Sequence, residues 1–259
     1  QDDSGKLTNR QTLLQRMRDY IFTVVSRYKG RVHGWDVVNE AIDDDGHMRK
    51  SKWLEIIGED YVQKAFEYAY EADPDAELYY NDYSLVNPVK RDGVVKLIRK
   101  IQANGVRVNG IGLQGHWSLD YPGNLKDLEE SILAFSELGV DVMVTELDVS
   151  VLPFPIEQHV ADVSMHFELK KEYNPYPGGL PDSIQEKLAQ RYSELFKIFI
   201  RHRDKISRIT LWGIHNGQSW LNHWPIKGRT DYPLLFNREY RKKPAFNAVV
   251  QCVSDNKEY

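Results

Sequence analysis

The feature that most limits what this chain can become is its alternation of helix-length amphipathic stretches with short apolar runs. Over residues 10–28 the apolar positions Leu13, Leu14, Met17, Tyr20, Ile21, Val24, Val25 and Tyr28 recur at helical spacing, with Thr8 a candidate N-cap and Lys29-Gly30 a stop. Trp35-Asp36-Val37-Val38 follows, a run whose valines suit a sheet interior, and it ends in Asn39-Glu40. The pattern then repeats. A helix is expected over residues 53–70, then the strand Leu78-Tyr79-Tyr80 ending at Asn81-Asp82-Tyr83, then a helix over 88–103 opened by Pro88. The strand Gly110-Ile111-Gly112-Leu113 ends at Gln114-Gly115-His116-Trp117, and a helix over 125–138 is closed by Gly139. A strand over 142–146, a helix over 183–202, a strand over 209–212 and a helix over 244–253 complete the chain. Such alternation implies parallel strands with right-handed crossovers, an α/β fold. A doubly wound sheet and a (β/α)8 TIM barrel both satisfy it. No G-x-G-x-x-G turn follows any strand. Every strand ends in polar or aromatic residues, as strand ends ringing one barrel mouth would.

Residues 150–182 break the rhythm with Pro153, Pro155, Pro175, Pro177, Pro181, Gly178 and Gly179, and read as a long loop over the mouth. Asp43-Asp44-Asp45-Gly46 lacks the spacing of a calcium-binding loop and reads as a solvated turn. The 259 residues fit one α/β barrel or two small domains, and a single domain, 1–259, is the expectation. Aromatic residues are 12% of the chain, which suits stacking on sugar rings and ordinary core packing alike. The net charge of −4 and the lack of a basic stripe argue against a nucleic-acid partner. No apolar run approaches the roughly 20 residues that span a bilayer, so no membrane segment is expected. With one cysteine, Cys252, the chain forms no internal disulfide. No metal or cofactor is expected.

Two of the apolar runs end in carboxylates: the one leading to Glu40, and Val142-Met143-Val144-Thr145-Glu146-Leu147-Asp148. Paired carboxylates at parallel strand ends are the raw material of glycoside hydrolysis. A single glutamate so placed is more simply a strand cap or the partner of a surface lysine. Two on matching ends favour chemistry.

Five motifs in order, Trp35-Asp36-Val37-Val38-Asn39-Glu40, Asn81-Asp82-Tyr83, Gly110-Ile111-Gly112-Leu113-Gln114-x-His116, Thr145-Glu146-Leu147-Asp148 and Leu211-Trp212-Gly213, resemble the family 10 glycoside hydrolases, retaining endo-β-1,4-xylanases on a (β/α)8 barrel. Leu234-Leu235-Phe236 and Lys243-Pro244-Ala245-Phe246 also fit, so the likeness spans nearly the whole chain. It implies Glu40 as general acid/base and Glu146 as nucleophile, with the two carboxyls about 5–5.5 Å apart. It further implies His116 orienting Glu146 as a neutral imidazole, with Asp148 behind it, and Asn39 binding the sugar 2-hydroxyl. Gln114 would line the subsite near the nucleophile, Asn81 and Tyr83 would face the leaving group, and Trp212 and Trp220 would wall the sugar. The substrate implied is xylan or a xylo-oligosaccharide, and the location secreted or cell-surface. His215-Asn216 after the last strand, and the large Trp117 after His116, depart from the family pattern and point to altered subsites. The family has three further barrel strands ahead of the first one seen here. The expectation is therefore a partial barrel, strands 4 to 8, completed by an N-terminal segment, with a carbohydrate-binding insert a candidate for the interruption. Two other functions fit these residues: a β-1,4-glucan-active glycosidase, and a catalytically idle xylan-binding fragment.

Overall fold

The computed structural model describes residues 5, 7–155 and 166–256. In order the elements are α1 (Arg10–Arg27), β1 (Gly34–Asn39), α2 (Lys52–Ile57), α3 (Tyr61–Ala72), β2 (Glu77–Asp82), α4 (Pro88–Ala103), β3 (Gly110–Ser118), α5 (Leu125–Ser136), β4 (Asp141–Ser150), α6 (Asp182–Arg201), β5 (Ile206–Leu211) and α7 (Pro244–Asp255). The strands form one sheet in the order β1-β2-β3-β4-β5. Sequential order with a helix in each connection is the signature of repeated βαβ units, so the α/β expectation holds. β1 and β2 run parallel, with Gly34 opposite Glu77, Asn39 opposite Asn81 and an irregularity between Asp36 and Val38.

Local chemistry sets the element ends. Asn9, not Thr8, caps α1, its side chain accepting from the Thr12 N–H. Asn87 caps α4, with Pro88 at the first position, where its missing N–H costs nothing. The single helix expected over 53–70 is two helices. Gly58, at φ 98°, takes a conformation closed to most side chains and ends α2 there. β3 and β4 are longer than expected, so Gln114, Gly115, His116, Trp117, Leu147 and Asp148 lie inside strands rather than in loops.

The chain divides into two compact units. The first is Gln1–Gly112 with Ala134–Val142. In it the buried stripe of α3, Val62, Ala65, Phe66 and Ala69, and that of α4, Val94, Leu97, Ile98 and Ile101, form a core with Leu78 and Tyr80 of β2. Each Val, Leu, Ile or Phe side chain in it contributes about 1.5–3 kcal/mol. By contrast α1 buries only Met17 and Val25, and Tyr20 is 71% exposed. The second unit is Leu113–Leu133 with Met143–Tyr259. There α6 buries Leu188, Tyr192, Leu195 and Phe199, and the Tyr192 hydroxyl donates to the Pro233 carbonyl at 2.7 Å. Of the long loop, residues 156–165 lie outside the described residues. The rest is tied to the segment that follows β5: Phe167 N–H donates to the Pro225 carbonyl, and Thr230 N–H donates to the Asn174 side chain.

The strands are not buried alike. β2 and β4 are almost wholly buried beyond their first residue, whereas β1 and β5 hold no fully buried residue. No helix among the described residues is long and apolar enough to cross a membrane.

Candidate active site

The expected site residues fall into two clusters, one in each unit. In the first unit β1 ends at Asn39, and Glu40 turns the chain with a φ of 59°, a left-handed value uncommon for a side chain of its size. Its N–H donates to the Asn81 carbonyl at 2.8 Å, continuing the β1–β2 ladder, and the Asn81 amide donates to the Asn39 side chain at 2.9 Å. The strand ends of β1 and β2 are thereby locked in register. The chain then folds back through an isolated antiparallel bridge, Ile42 to Met48, which returns Arg49 to the end of β1, where its N–H donates to the Ala41 carbonyl. The guanidinium serves three groups: Nε donates to Asp43 at 3.2 Å, Nη1 to Glu40 at 3.3 Å and Nη2 to the Tyr83 hydroxyl at 3.3 Å.

Beneath Tyr83 lies a buried ion pair. Lys90 of α4 and Asp82 of β2 are both fully buried and meet at 2.9 Å, and the ammonium sits 3.1 Å from the Tyr83 ring centroid. Tyr80 donates its hydroxyl to Asp82 in a short hydrogen bond. Burial raises Asp82 to about 6, against the pull of the Lys90 charge and the donors around it. Burial and the Asp44 charge push Tyr83 up to about 12, against the Arg49 charge. Asp43 and Asp44 of the expected solvated turn therefore each face a cation, Arg49 and Lys90 respectively.

In the second unit His116 of β3 lies between two carboxylates of β4. Its Nε2 is 3.1 Å from Glu146 and its Nδ1 3.0 Å from Asp148. The other Asp148 oxygen accepts from the Trp220 indole N–H at 2.9 Å. Glu146, like Glu40, has a left-handed φ, here 56°, in the middle of its strand. The expected neutral imidazole is corrected by this geometry. Carboxylates only accept, so both ring nitrogens must donate, which makes His116 an imidazolium. Burial opposes that charge, but the Asp148 charge and the hydrogen bonds to both carboxylates outweigh it and raise His116 to about 10.

Aromatic rings surround the imidazole. Trp220 is 4.9 Å away and tilted, Trp212 is 6.3 Å away edge-on, and Trp220 stacks on Trp224 at 4.8 Å. Trp212 is 47% exposed, which leaves one face of its ring open. Gln114 is buried on β3, two residues before His116 and so on the same face of the strand.

The two departures from the family pattern have structural explanations. Trp117 alternates to the opposite face of β3 from His116, is 3% exposed and packs against Phe199 of α6. His215 accepts from Gly217 N–H and Asn216 accepts from Leu234 N–H, both from buried positions, so they hold the loop after β5. The sequence reading missed Arg49 and Lys90. Lys90 did leave a signal: it stands in the apolar stripe of α4, one turn before Val94.

The profile of glycosyl hydrolase family 10 matches residues 3–252. The endo-1,4-beta-xylanase A of Xylanibacter ruminicola is 48% identical over 250 residues, which are 96% of this chain and 68% of that protein. The endo-1,4-beta-xylanase of Geobacillus stearothermophilus is 41% identical over 252 residues, 96% of this chain and 71% of its own length. The solved structure of a family 10 endoxylanase retrieved from a sugarcane soil metagenome superposes with a TM-score of 0.93 at 46% identity, over 96% of this chain and 72% of that one. Matched along nearly its full length in both sequence and fold, the chain belongs to glycosyl hydrolase family 10.

Proposed function

We propose that the protein is a retaining endo-β-1,4-xylanase in which Glu146 is the nucleophile and Glu40 the general acid/base. The carrying observation is that both glutamates hold a left-handed backbone at the end or bend of a strand. Such strain costs about 1–3 kcal/mol per residue and persists where the surroundings over-determine it, most often at functional positions. The named relatives support xylan as the substrate class.

The chemistry follows from the partners. Glu146 attacks the anomeric carbon as a carboxylate, while the leaving sugar oxygen takes the proton of Glu40. Water then gives a proton to Glu40 and attacks the same carbon, and Glu146 departs. The His116 imidazolium holds one Glu146 oxygen throughout, which fixes the side chain. Asn39 and Asn81, tied to each other, present fixed polar edges to the sugar hydroxyls, and Trp212 and Trp220 offer ring faces for stacking.

The half-exposed strands β1 and β5 support a further element of the reading. The sheet is an arc of five consecutive strands of a (β/α)8 barrel, and its two edges pair with strands supplied by other polypeptide, an N-terminal segment or a second chain. Co-expression of such a segment would raise solubility and xylan hydrolysis together; equal activity without it would remove this element.

The test of the carboxylate roles is chemical. Glu40→Ala should still form the glycosyl-enzyme from aryl xylobiosides with good leaving groups, and azide should rescue the second step to give a β-glycosyl azide. An α-glycosyl azide would refute both the assignment and retention.

A further inference from the structure

We propose that Arg49 is a positioning residue for Glu40: its guanidinium aims the carboxyl group at the oxygen with which it exchanges a proton. This rests on the reading of Glu40 as acid/base.

Three observations carry it. All three guanidinium nitrogens are engaged, on Asp43, Glu40 and Tyr83, at 3.2–3.3 Å. A planar fork with three fixed partners has little freedom to rotate away. Its backbone is equally fixed, by the hydrogen bond to Ala41 and the Ile42–Met48 bridge. Lastly, the platform behind it is rigid: Tyr83 rests on the buried Lys90–Asp82 pair.

A purely structural ion pair is a weaker account. The Arg49 and Glu40 side chains are 28% and 24% exposed, where water screens the attraction, and the buried Lys90–Asp82 pair already neutralises its own charge. The charged and titratable groups near the guanidinium are Glu40, Asp43, Asp82, Tyr83 and Tyr61, with Lys90 and Asp44 beyond the Tyr83 ring. Within that set Arg49 touches Glu40 directly, at 3.3 Å. In the first half-reaction Glu40 loses a proton to the leaving oxygen; in the second it takes one from water. Both transfers need the carboxyl held in line with its proton partner, which a fixed fork provides.

The experiment compares Arg49→Met, Arg49→Gln and Arg49→Lys on xylan and on 2,4-dinitrophenyl xylobioside, whose leaving group needs no proton. Met and Gln should lower kcat/KM on xylan about tenfold, because the carboxyl loses its aim. On the aryl substrate kcat/KM should change less than about twofold, a split that general loss of structure would not produce. Lys, which keeps a charged donor but not the planar fork, should recover part of the loss on xylan. If Met fails to fold, Gln carries the same test, since it keeps a donor and loses the fork. No loss on xylan, or equal losses on both substrates, overturns the role of Arg49. Should Glu40→Ala lower both substrates equally, the failure lies in the assignment of Glu40 itself, and the inference falls with it.

Discussion

Glu40 and Glu146 share a backbone angle and differ in almost everything around their carboxyls. Glu40 meets a guanidinium that is shared with an aspartate and a tyrosine and open to solvent on one side. Glu146 meets an imidazolium whose other nitrogen is bound to Asp148, a fully buried carboxylate. The first arrangement leaves the glutamate room to exchange a proton with solvent or substrate. The second surrounds one cation with two anions, a net negative cluster that an electrophilic carbon would relieve. Two glutamates in one backbone conformation are thus suited to opposite duties by what stands one contact away.

The largest expected effect breaks the comparison outright. Glu146→Ala should lower kcat/KM on the order of 10⁴-fold or more on xylan and aryl xylobiosides alike, while Glu40→Ala should lower kcat/KM so far on xylan only, its turnover of aryl xylobiosides being held back at the second step. Rates on the two substrates measure this; a Glu146 variant that spares the aryl substrate would reverse the roles.

Next comes the platform under Glu40. Lys90→Met should destabilise the fold by about 3–5 kcal/mol, since it leaves Asp82 buried without its cation. Denaturant titration reads this directly. Asp82 also gives the wild type a pH signature. Its folded value, about 6, lies above the ordinary 3.8, so the folded state binds the proton more tightly. Asp82 therefore makes stability fall as pH rises from about 3.8 to about 6. Asp82→Asn should flatten that slope, and an unchanged slope would assign it elsewhere.

On the Glu146 side, His116→Ala should lower kcat about 10²–10³-fold with little change in KM, because it removes orientation and not sugar contact. Because His116 is raised from 6.5 to about 10, its charged contacts stabilise the fold fully below about 6.5, and that contribution is lost as pH rises through about 10. The gap in melting temperature between wild type and His116→Gln should therefore be widest near neutrality and close at high pH. A gap that closes near 6.5 would mean an ordinary histidine. The smallest effect is expected from Trp220→Phe, which keeps a ring and loses the indole donor to Asp148. A drop in kcat of about five- to tenfold would be the size of one lost hydrogen bond of ordinary strength.

Much of this was legible in the sequence because the signals were local. α4 spans Pro88–Ala103 as expected, since an asparagine cap, a proline and an apolar stripe all agree. The division of the expected 53–70 helix at Gly58 was missed because the apolar positions continue across it. β3 and β4 run past their expected ends because Gln114, His116 and Asp148 look like loop residues until burial reveals them as strand residues. The site residues found by motif lie within strands or directly at their ends. Arg49 does not, and its contact with Glu40 depends on a bridge between Ile42 and Met48 that no residue pattern announces. The charge of His116 was misjudged because it depends on two partners about 30 residues away, and each alone would suit a neutral ring.

The turn that carries Asp43 and Asp44 also rests on α4. Gly46, at φ 78°, has its carbonyl where a side chain at Gly93 would have to sit, and a side chain at Gly46 would strike the Val89 carbonyl. The helix thus works as a gauge block behind the loop: the spacing between Gly93 and Gly46 sets how far the hairpin stands off, and with it the reach of Arg49. A single methyl group at position 93 would be felt not at the helix, where alanine is welcome, but at the tip of a guanidinium on the far side of the turn.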